Sequence, residues 1–179
     1  MSDIGKQEEL FYQLFPKQID VGAKKPQTLE WVLTRTKDGK GINTPRELIQ
    51  LFTHARKIEI KRLENGINDL TENLIISRQS LKDAVKEVSK QRMEQTIYAE
   101  FANLKDVIES LRGDKAEHTF STLSSKWNLP EEETHYTIKK LIQIGFIRQK
   151  GDMRNPIYEI PFIYRPYLDI VQGKATTPS

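Results

Sequence analysis

The stretch LIQIGFIRQK, residues 141–150, decides the fold of the second half of this chain. Within it an amphipathic helix stops at Gly145, because glycine readily adopts the left-handed backbone that ends helices. An apolar strand, Phe146–Gln149, follows directly, and the polar loop KGDMRNP (150–156) separates it from a second apolar run at Ile157–Ile160. The pattern predicts a helix that leads into a β-hairpin.

Upstream of this stretch, the spacing of apolar residues predicts three helices. The third helix begins at Glu131, and the second covers Thr119–Trp127, with a tight turn at Asn128-Leu129-Pro130 between them. The first is a long amphipathic helix that ends at Gly113. The inward side chains are Ile97, Phe101, Leu104, Ile108 and Leu111 in the first helix, Phe120, Leu123 and Trp127 in the second, and Ile138, Leu141 and Ile142 in the third.

Three helices, a tight turn between the last two and a hairpin follow the order of a winged helix-turn-helix domain. The alternative is another kind of small helical domain with a hairpin appended. After Pro161, the run IYRPYLDIV (163–171) predicts a terminal helix. Its side chains Tyr164, Leu168 and Val171 are expected to pack back on the domain.

The first half of the chain predicts a separate set of helices. Apolar residues at helical spacing indicate helices at Glu8–Phe15, after a cap at Thr28, and at Leu74–Val88. The glycine-rich segment TKDGKGINTP (36–45) is a loop, and a longer helix starts at Thr44-Pro45 and ends near Asn65-Gly66. We therefore expect a mainly α fold, with a helical region over residues 1–92 and a winged-helix domain over 93–179.

Composition excludes several classes of protein. The 179 residues are 37% hydrophobic and 30% charged, which is an ordinary globular balance. The chain has no cysteine, so a disulfide framework or a thiolate site is excluded. Neither a secretory signal nor a membrane-spanning run is recognisable, and we expect a cytoplasmic protein without a membrane partner. The formal net charge of +3 is a weak indication of an anionic partner.

Three stretches together resemble the C-terminal part of a family of bacterial P-loop ATPases. They are LFPKQIDVGAKKPQTLEWVLTRTKDGKGINTPRELIQLF (14–52), LKDAVKEVSK (81–90) and LIQIGFIRQKGDMRNPIYEIPFIYRPYLDI (141–170). The likeness covers most of the chain but not the nucleotide-binding core. In such AAA-like ATPases the core is followed by a helical lid and often by a winged helix. By this resemblance, the residues up to about 90 correspond to the lid and its connector.

The resemblance also implies a role for Arg46. The phrase TPREL (44–48) is similar to the second-sensor helix of such lids, where an arginine at the helix start reaches the terminal phosphate of ATP. A guanidinium can pair with phosphate through two hydrogen bonds, and a helix N-terminus adds partial positive charge. The alternative is that Arg46 is an ordinary surface residue. The chain lacks GxxxxGK[ST], so ATP and magnesium would belong to a parent ATPase, and we expect no cofactor here.

No pattern in the sequence builds an active site or a metal site. The histidines His54, His118 and His135 lie in separate elements, without a second histidine at metal-ligand spacing. The cluster Glu131-Glu132-Glu133 is expected at a helix start, where the helix dipole favours negative charge. Because the nucleophile pattern GxSxG is also absent, we expect a chain that is not an enzyme.

Nucleic-acid binding is the most specific alternative to a purely structural role. If the third predicted helix buries Ile138, Leu141 and Ile142, its other side and the loop of the hairpin form one candidate surface for duplex DNA. The candidate residues are His135, Tyr136, Lys139, Lys140, Gln143, Arg148, Lys150 and Arg154. Opposing this, the part of a recognition helix that usually contacts bases carries three glutamates here. Contact with a protein partner, or with an ATPase core, is therefore favoured over direct contact with DNA.

These expectations lead to one main hypothesis and two alternatives. The main hypothesis is a non-catalytic regulatory and interaction module of a P-loop ATPase, whose winged helix contacts DNA or a protein. The first alternative is a free-standing winged-helix transcription regulator that binds DNA. The second is a structural adaptor without DNA affinity, which predicts an exposed apolar patch around Leu10–Phe15 and Leu48–Phe52. Assembly of several copies is compatible with each of these hypotheses.

Overall fold

A computed structural model describes residues 3–70, 74–152 and 154–176, and it is mainly helical with a small four-stranded sheet. The chain forms two compact units. Unit 1 contains the residues up to Arg35 together with Pro45–Val88, and unit 2 contains Thr36–Thr44 and the residues from Ser89 onward. The division after Val88 lies four residues before the expected boundary. The grouping of the glycine-rich loop with unit 2 was not expected.

Unit 1 is built from helices. Helix α1 covers Asp3–Leu14, α2 covers Thr28–Thr36, α3 covers Pro45–Glu64 and α4 covers Arg78–Arg92. Four helices were predicted in these regions, and their presence is confirmed. The core that they enclose is formed by Ile19, Trp31, Val32, Leu51, Ala55, Ile76, Leu81, Ala84, Val85 and Val88.

Helix α3 begins and ends where the sequence predicted. Its first residue is Pro45, which fits this position because its missing N–H needs no partner in the first turn. At the other end Gly66 has a φ of +77°, and the amide of Ile67 donates to the carbonyl of Arg62 at 2.9 Å. A glycine in the left-handed region with this hydrogen bond is a common way to terminate a helix.

The predicted hairpin is confirmed in unit 2, although its first strand begins two residues later than the predicted Phe146, at Arg148. Strands β2 (Arg148–Lys150) and β3 (Ile157–Glu159) pair antiparallel after helices α7 (Phe120–Trp127) and α8 (Glu131–Gln143). The core of unit 2 collects side chains from these helices and strands and from the segments that flank them. Its buried members are Met93, Ile97, Leu104, Ile108, Leu111, Leu123, Ile138, Leu141, Phe146, Ile147, Tyr158, Ile160, Ile163, Tyr164 and Leu168.

Two further strands that the sequence did not predict complete the sheet. Strand β1 (Lys115–His118) precedes α7, and strand β4 (Val171–Lys174) lies at the end of the described chain. The order across the sheet is β2-β3-β1-β4, with β1 antiparallel to β3 and parallel to β4. The hairpin is therefore not an appendage, because β1 joins it to the body of unit 2.

The prediction of one long helix up to Gly113 is wrong. A π-helical segment, Met93–Ile97, leads into the short helix α5 (Tyr98–Glu100), and Phe101 then leaves helical geometry with φ −132° and ψ 51°. A 3-10 turn at Ala102–Leu104 and helix α6 (Lys105–Glu109) follow. The apolar stripe identified the inward residues, but periodicity alone does not require one continuous axis.

A hydrogen bond explains what the break achieves. The hydroxyl of Tyr98 donates to the carboxylate of Glu109 at 2.7 Å. In a continuous helix these two residues, 11 positions apart, would lie about 16 Å apart along the axis. The break therefore allows the two sides of the segment to approach each other and enclose the core.

The prediction of a terminal helix over 163–171 is also wrong. A 3-10 turn covers Phe162–Tyr164, and Asp169 adopts a φ of +54°, which right-handed helices do not contain. Val171 then belongs to β4, and its amide donates to the carbonyl of Asp114 at 2.8 Å. Pairing with β1 provides backbone partners that a helix would otherwise have to supply.

The loop between α2 and α3 is ordered by backbone contacts within unit 2. The amide of Gly39 donates to the carbonyl of Gly145 at 2.7 Å, and a Cβ at Gly39 would lie only 2.6 Å from the carbonyl oxygen of Ile147. Asp38 folds the loop by accepting hydrogen bonds from the amides of Lys40 and Ile42. Glycine at position 39 is therefore required for the loop to approach the end of α8.

Candidate interaction surface of helix α8 and the hairpin

The turn between α7 and α8 fixes the direction in which α8 leaves α7. The hydroxyl of Thr119 caps the start of α7, and Asn128 ends the helix in the left-handed region with φ 51°. The hydroxyls of Ser124 and Thr134 both donate to the carbonyl of Leu129, at 3.3 and 3.2 Å. One carbonyl thus links the two helices, which allows little freedom in their relative orientation.

Helix α8 buries one face and exposes the other, as predicted. Thr134, Thr137, Ile138 and Leu141 are buried, and Ile142 is half-buried against the core. Among the candidate residues on the opposite face, Lys140 is half-buried, and the exposed ones are His135, Tyr136, Lys139 and Gln143. The three glutamates at the start of the helix are exposed on the same element. We call the exposed residues from Glu132 to Gln143, together with Lys140, the α8 outer face.

Aromatic contacts order part of this face. The imidazole ring of His135 stacks on Phe120 of α7, with ring centroids 4.3 Å apart, so His135 is partly a packing residue. Tyr136 is 63% exposed, and the ammonium of Lys140 lies 5.4 Å from the centroid of its ring. An exposed tyrosine that is held by a neighbouring cation is typical of a recognition surface, because Tyr combines a large apolar area with a polar tip.

The cations of the hairpin strands are engaged within the protein. The buried carboxylate of Glu159 accepts a hydrogen bond from Arg148 and forms an ion pair with Lys150 at 2.6 Å. Arg165 adds a third cation at 3.1 Å. Burial alone would raise the pKa of Glu159, but hydrogen bonds from Lys150 and Arg148 hold this pKa below its usual value. Arg148 and Lys150 were predicted to face a partner; both are paired with Glu159, and their side chains remain 46% and 37% exposed.

Arg154 is exposed in the loop of the hairpin. Its amide donates to the side chain of Asp152 at 3.2 Å, so an acidic group lies beside it. Met153, the middle of the predicted polar loop, lies outside the described residues. Of the five candidate cations, Lys139, Arg148 and Arg154 are exposed, and Lys140 and Lys150 are half-buried. The same helix and loop also carry Asp152 and three exposed glutamates.

Arg46 lies in unit 1, at the second position of α3. Its side chain is exposed, whereas the neighbouring Glu47 is buried. A guanidinium at the first turn of a 20-residue helix lies where partial positive charge of the helix dipole also concentrates. This position is compatible with a phosphate-sensing arginine and equally with an ordinary surface residue.

A polar pocket that sequence reasoning missed lies beside β1. Its volume is about 230 Å³, and it is lined by Asp114, His118, Thr122, Lys126, Ala175 and Thr176. Burial lowers the pKa of His118, whose Nε2 lies 2.8 Å from the carbonyl of Lys115, and Asp114 pairs with Lys126 at 2.9 Å. These groups satisfy one another, which indicates a structural role. No sequence pattern indicates this pocket, because β1 has no apolar run.

Metal binding and membrane insertion find no support in the described structure. Over residues 3–70, 74–152 and 154–176, no cluster of three or more histidine, aspartate or glutamate side chains could hold a metal ion. The described helices also include none with the length and apolar character needed to cross a membrane.

Compared with protein-family models, with curated proteins and with solved structures, the chain matches none.

Proposed function

We propose that this chain is a non-catalytic interaction module of a P-loop ATPase, and that unit 2 is a winged helix whose α8 outer face contacts a protein partner. The order β1-α7-α8-β2-β3, with β3 between β1 and β2 in the sheet, supports the winged helix. In this arrangement the loop between β2 and β3 is the wing. It is also the arrangement in which the second helix of a helix-turn-helix presents its free face to a partner.

The composition of the α8 outer face favours protein over duplex DNA. Tyr136 is exposed at its centre, with acidic residues N-terminal to it and Lys139 and Gln143 C-terminal to it. DNA binding depends on neutralising phosphates with cations, whereas protein surfaces are recognised by an aromatic anchor within mixed charges. The exposed Tyr136 among mixed charges carries this preference, and the ion pairs of Arg148 and Lys150 with Glu159 lessen, without neutralising, the positive charge that the hairpin offers to phosphates.

Duplex DNA is the second candidate, and the exposed positions of Lys139, Arg148 and Arg154 support it. Fluorescence anisotropy with a labelled duplex distinguishes the two candidates, using the double substitution Lys139→Glu plus Arg154→Glu. Protein recognition predicts duplex affinity no tighter than the non-specific range of about 10⁻⁴ to 10⁻⁶ M, changed by less than about threefold in the variant. An affinity for the duplex tighter than this range, which falls by more than about tenfold in the variant, would establish DNA as the partner.

The proposed link to an ATPase makes Arg46 a sensor of bound nucleotide. In a full-length protein that carries a nucleotide-binding core, Arg46→Ala should lower the rate of ATP turnover by at least about tenfold, because transition-state charge on the phosphate loses a partner. Lys24→Ala is the control, since Lys24 is an exposed cation of unit 1 that lies outside α3. Equal turnover in the two variants, with unchanged folding, would show that Arg46 is a surface residue.

A further inference from the structure

Helix α3 carries a second apolar stripe on the side that its own core does not use. Starting at Ile49, steps of four and three residues lead to Thr53, Arg56, Ile60 and Leu63, and all five side chains are exposed. Ile49 is 67% exposed, and Ile60 and Leu63 are each 42% exposed. Positions with this spacing lie on one face of a helix, and the stripe is about 21 Å long.

This stripe contributes little to the stability of unit 1. The buried residues of α3 are Glu47, Leu51, Ala55 and Glu59, and they occupy another face. Leu10 and Leu14 of α1 are also exposed, and α1 contacts α3 through Phe11 and Phe15 against Phe52. The apolar patch expected for an adaptor is thus present in part, at Leu10, Leu14 and Ile49. Aliphatic side chains in such a row are typical of an interaction site.

The charge around the stripe is one-sided. The exposed ionic side chains of α3 are Arg46, Arg56, Lys57, Lys61 and Glu64. The other two carboxylates of the helix, Glu47 and Glu59, are buried, and Glu59 accepts a hydrogen bond from the amide of Ser77 at 2.7 Å. Four cations therefore face solvent against one carboxylate, with Arg56 inside the stripe itself.

We propose that this face of α3, from Ile49 to Leu63, docks an acidic amphipathic helix of a partner protein. Positions that alternate steps of four and three match the seam along which two helices pack side by side, and three of the five positions here, Ile49, Ile60 and Leu63, are apolar. Carboxylates that flank the partner's apolar seam would pair with Arg56 and Lys57. A second copy of the chain would instead bring the same cations into the interface, where like charges repel. The site is independent of the α8 outer face.

Synthetic helical peptides test this proposal directly on the full chain. One labelled peptide has leucines at the seam positions and glutamates beside them, and its matched control has lysines in place of the glutamates. We expect the fluorescence anisotropy of the acidic peptide, but not that of the control peptide, to rise to saturation as the chain is added. Ile60→Asp and Arg56→Glu should each weaken this binding at least about tenfold, or 1.4 kcal/mol, because one removes an apolar contact and the other reverses a charge. Val21→Asp, at a 72% exposed position of unit 1 outside α3, is the control.

Several outcomes would overturn the proposal. The acidic peptide could fail to saturate at concentrations up to about 1 mM, or both peptides could bind equally, or Ile60→Asp could have no more effect than Val21→Asp. The chain could also bind phosphatidylglycerol vesicles and not the acidic peptide. If Ile60→Asp then abolished the vesicle binding, a lipid surface would be the occupant. A dimer in analytical ultracentrifugation that Ile60→Asp dissociates would identify a second copy of the chain. Circular dichroism melts of each variant confirm that it folds.

Discussion

Glu159 is the single residue that most constrains the surface of the hairpin. Its side chain is buried while it contacts Arg148, Lys150 and Arg165, and the guanidinium of Arg165 is itself buried and donates to the carbonyl of Ile160 at 2.7 Å. A buried charge is tolerated only when it is paired and hydrogen-bonded. The cluster therefore holds β2, β3 and the segment after Pro161 together, and it orders the side chains of Arg148 and Lys150 on the hairpin.

Removing the charge of Glu159 should destabilise the protein. Glu159→Gln leaves the buried Arg165 without an ionic partner, and we expect a loss of about 2–3 kcal/mol in the free energy of unfolding at neutral pH. Denaturant titration measures this loss. Glu64→Gln is the control, because Glu64 is an exposed carboxylate whose substitution should change stability by less than about 0.5 kcal/mol. Equal effects of both substitutions would contradict a structural role for the cluster.

The same variant predicts a pH dependence of defined sign. The pKa of Glu159 is lower in the folded protein than its ordinary value of 4.5. Its stabilising contribution is therefore complete above that value and is lost as pH falls through the lowered pKa of the folded state. The difference in stability between the wild type and Glu159→Gln should accordingly be constant near neutral pH and shrink in acid below about pH 4.5.

The exposure of individual α8 residues could be predicted, but their partners could not. Helical periodicity identified Ile138 and Leu141 as buried and Tyr136 and Lys139 as exposed, because a period of 3.6 residues fixes the faces of a helix. The pairing of Arg148 with Glu159 depends on the register of β2 against β3, where these two residues lie opposite each other. Register in a hairpin depends on loop geometry, which the polar loop sequence did not specify.

At the level of elements, the strong local signals predicted helices and the hairpin correctly. Helix α3 has a proline at its start and a glycine after its end, and α8 is followed by Gly145 with a φ of +77°. Such signals act through the backbone of one or two residues and need no tertiary context. This explains why the boundaries of these helices lie within a few residues of their predicted positions.

The elements that the sequence did not predict depend on tertiary contacts. Strand β1 has the sequence Lys-Ala-Glu-His, in which only Ala116 and His118 are buried, so it lacks an apolar alternation. Strand β4 pairs with β1 and not with a neighbour in sequence. Likewise, the break at Phe101 leaves Ile97, Leu104 and Ile108 buried, so the apolar pattern of a continuous helix is retained. Long-range pairing accounts for the two strands, and the hydrogen bond between Tyr98 and Glu109 accompanies the break.

On the scale of the whole molecule, each unit offers a surface of different chemistry. The α8 outer face of unit 2 has an exposed tyrosine among mixed charges, and the stripe of α3 in unit 1 is aliphatic and basic. Both surfaces lie on helices whose other face is fixed by a core, which gives a partner a rigid platform.

Photo-crosslinking from position 136 tests the central claim, that the α8 outer face recognises a protein. With benzoylphenylalanine in place of Tyr136, irradiation of source cells should give an adduct of discrete mass that resists nuclease and is lost when Lys139→Glu is added. The same group at Gln149, an exposed position on β2, should not give this adduct. A nuclease-sensitive adduct from position 136, or the same adduct from both positions, would contradict the claim.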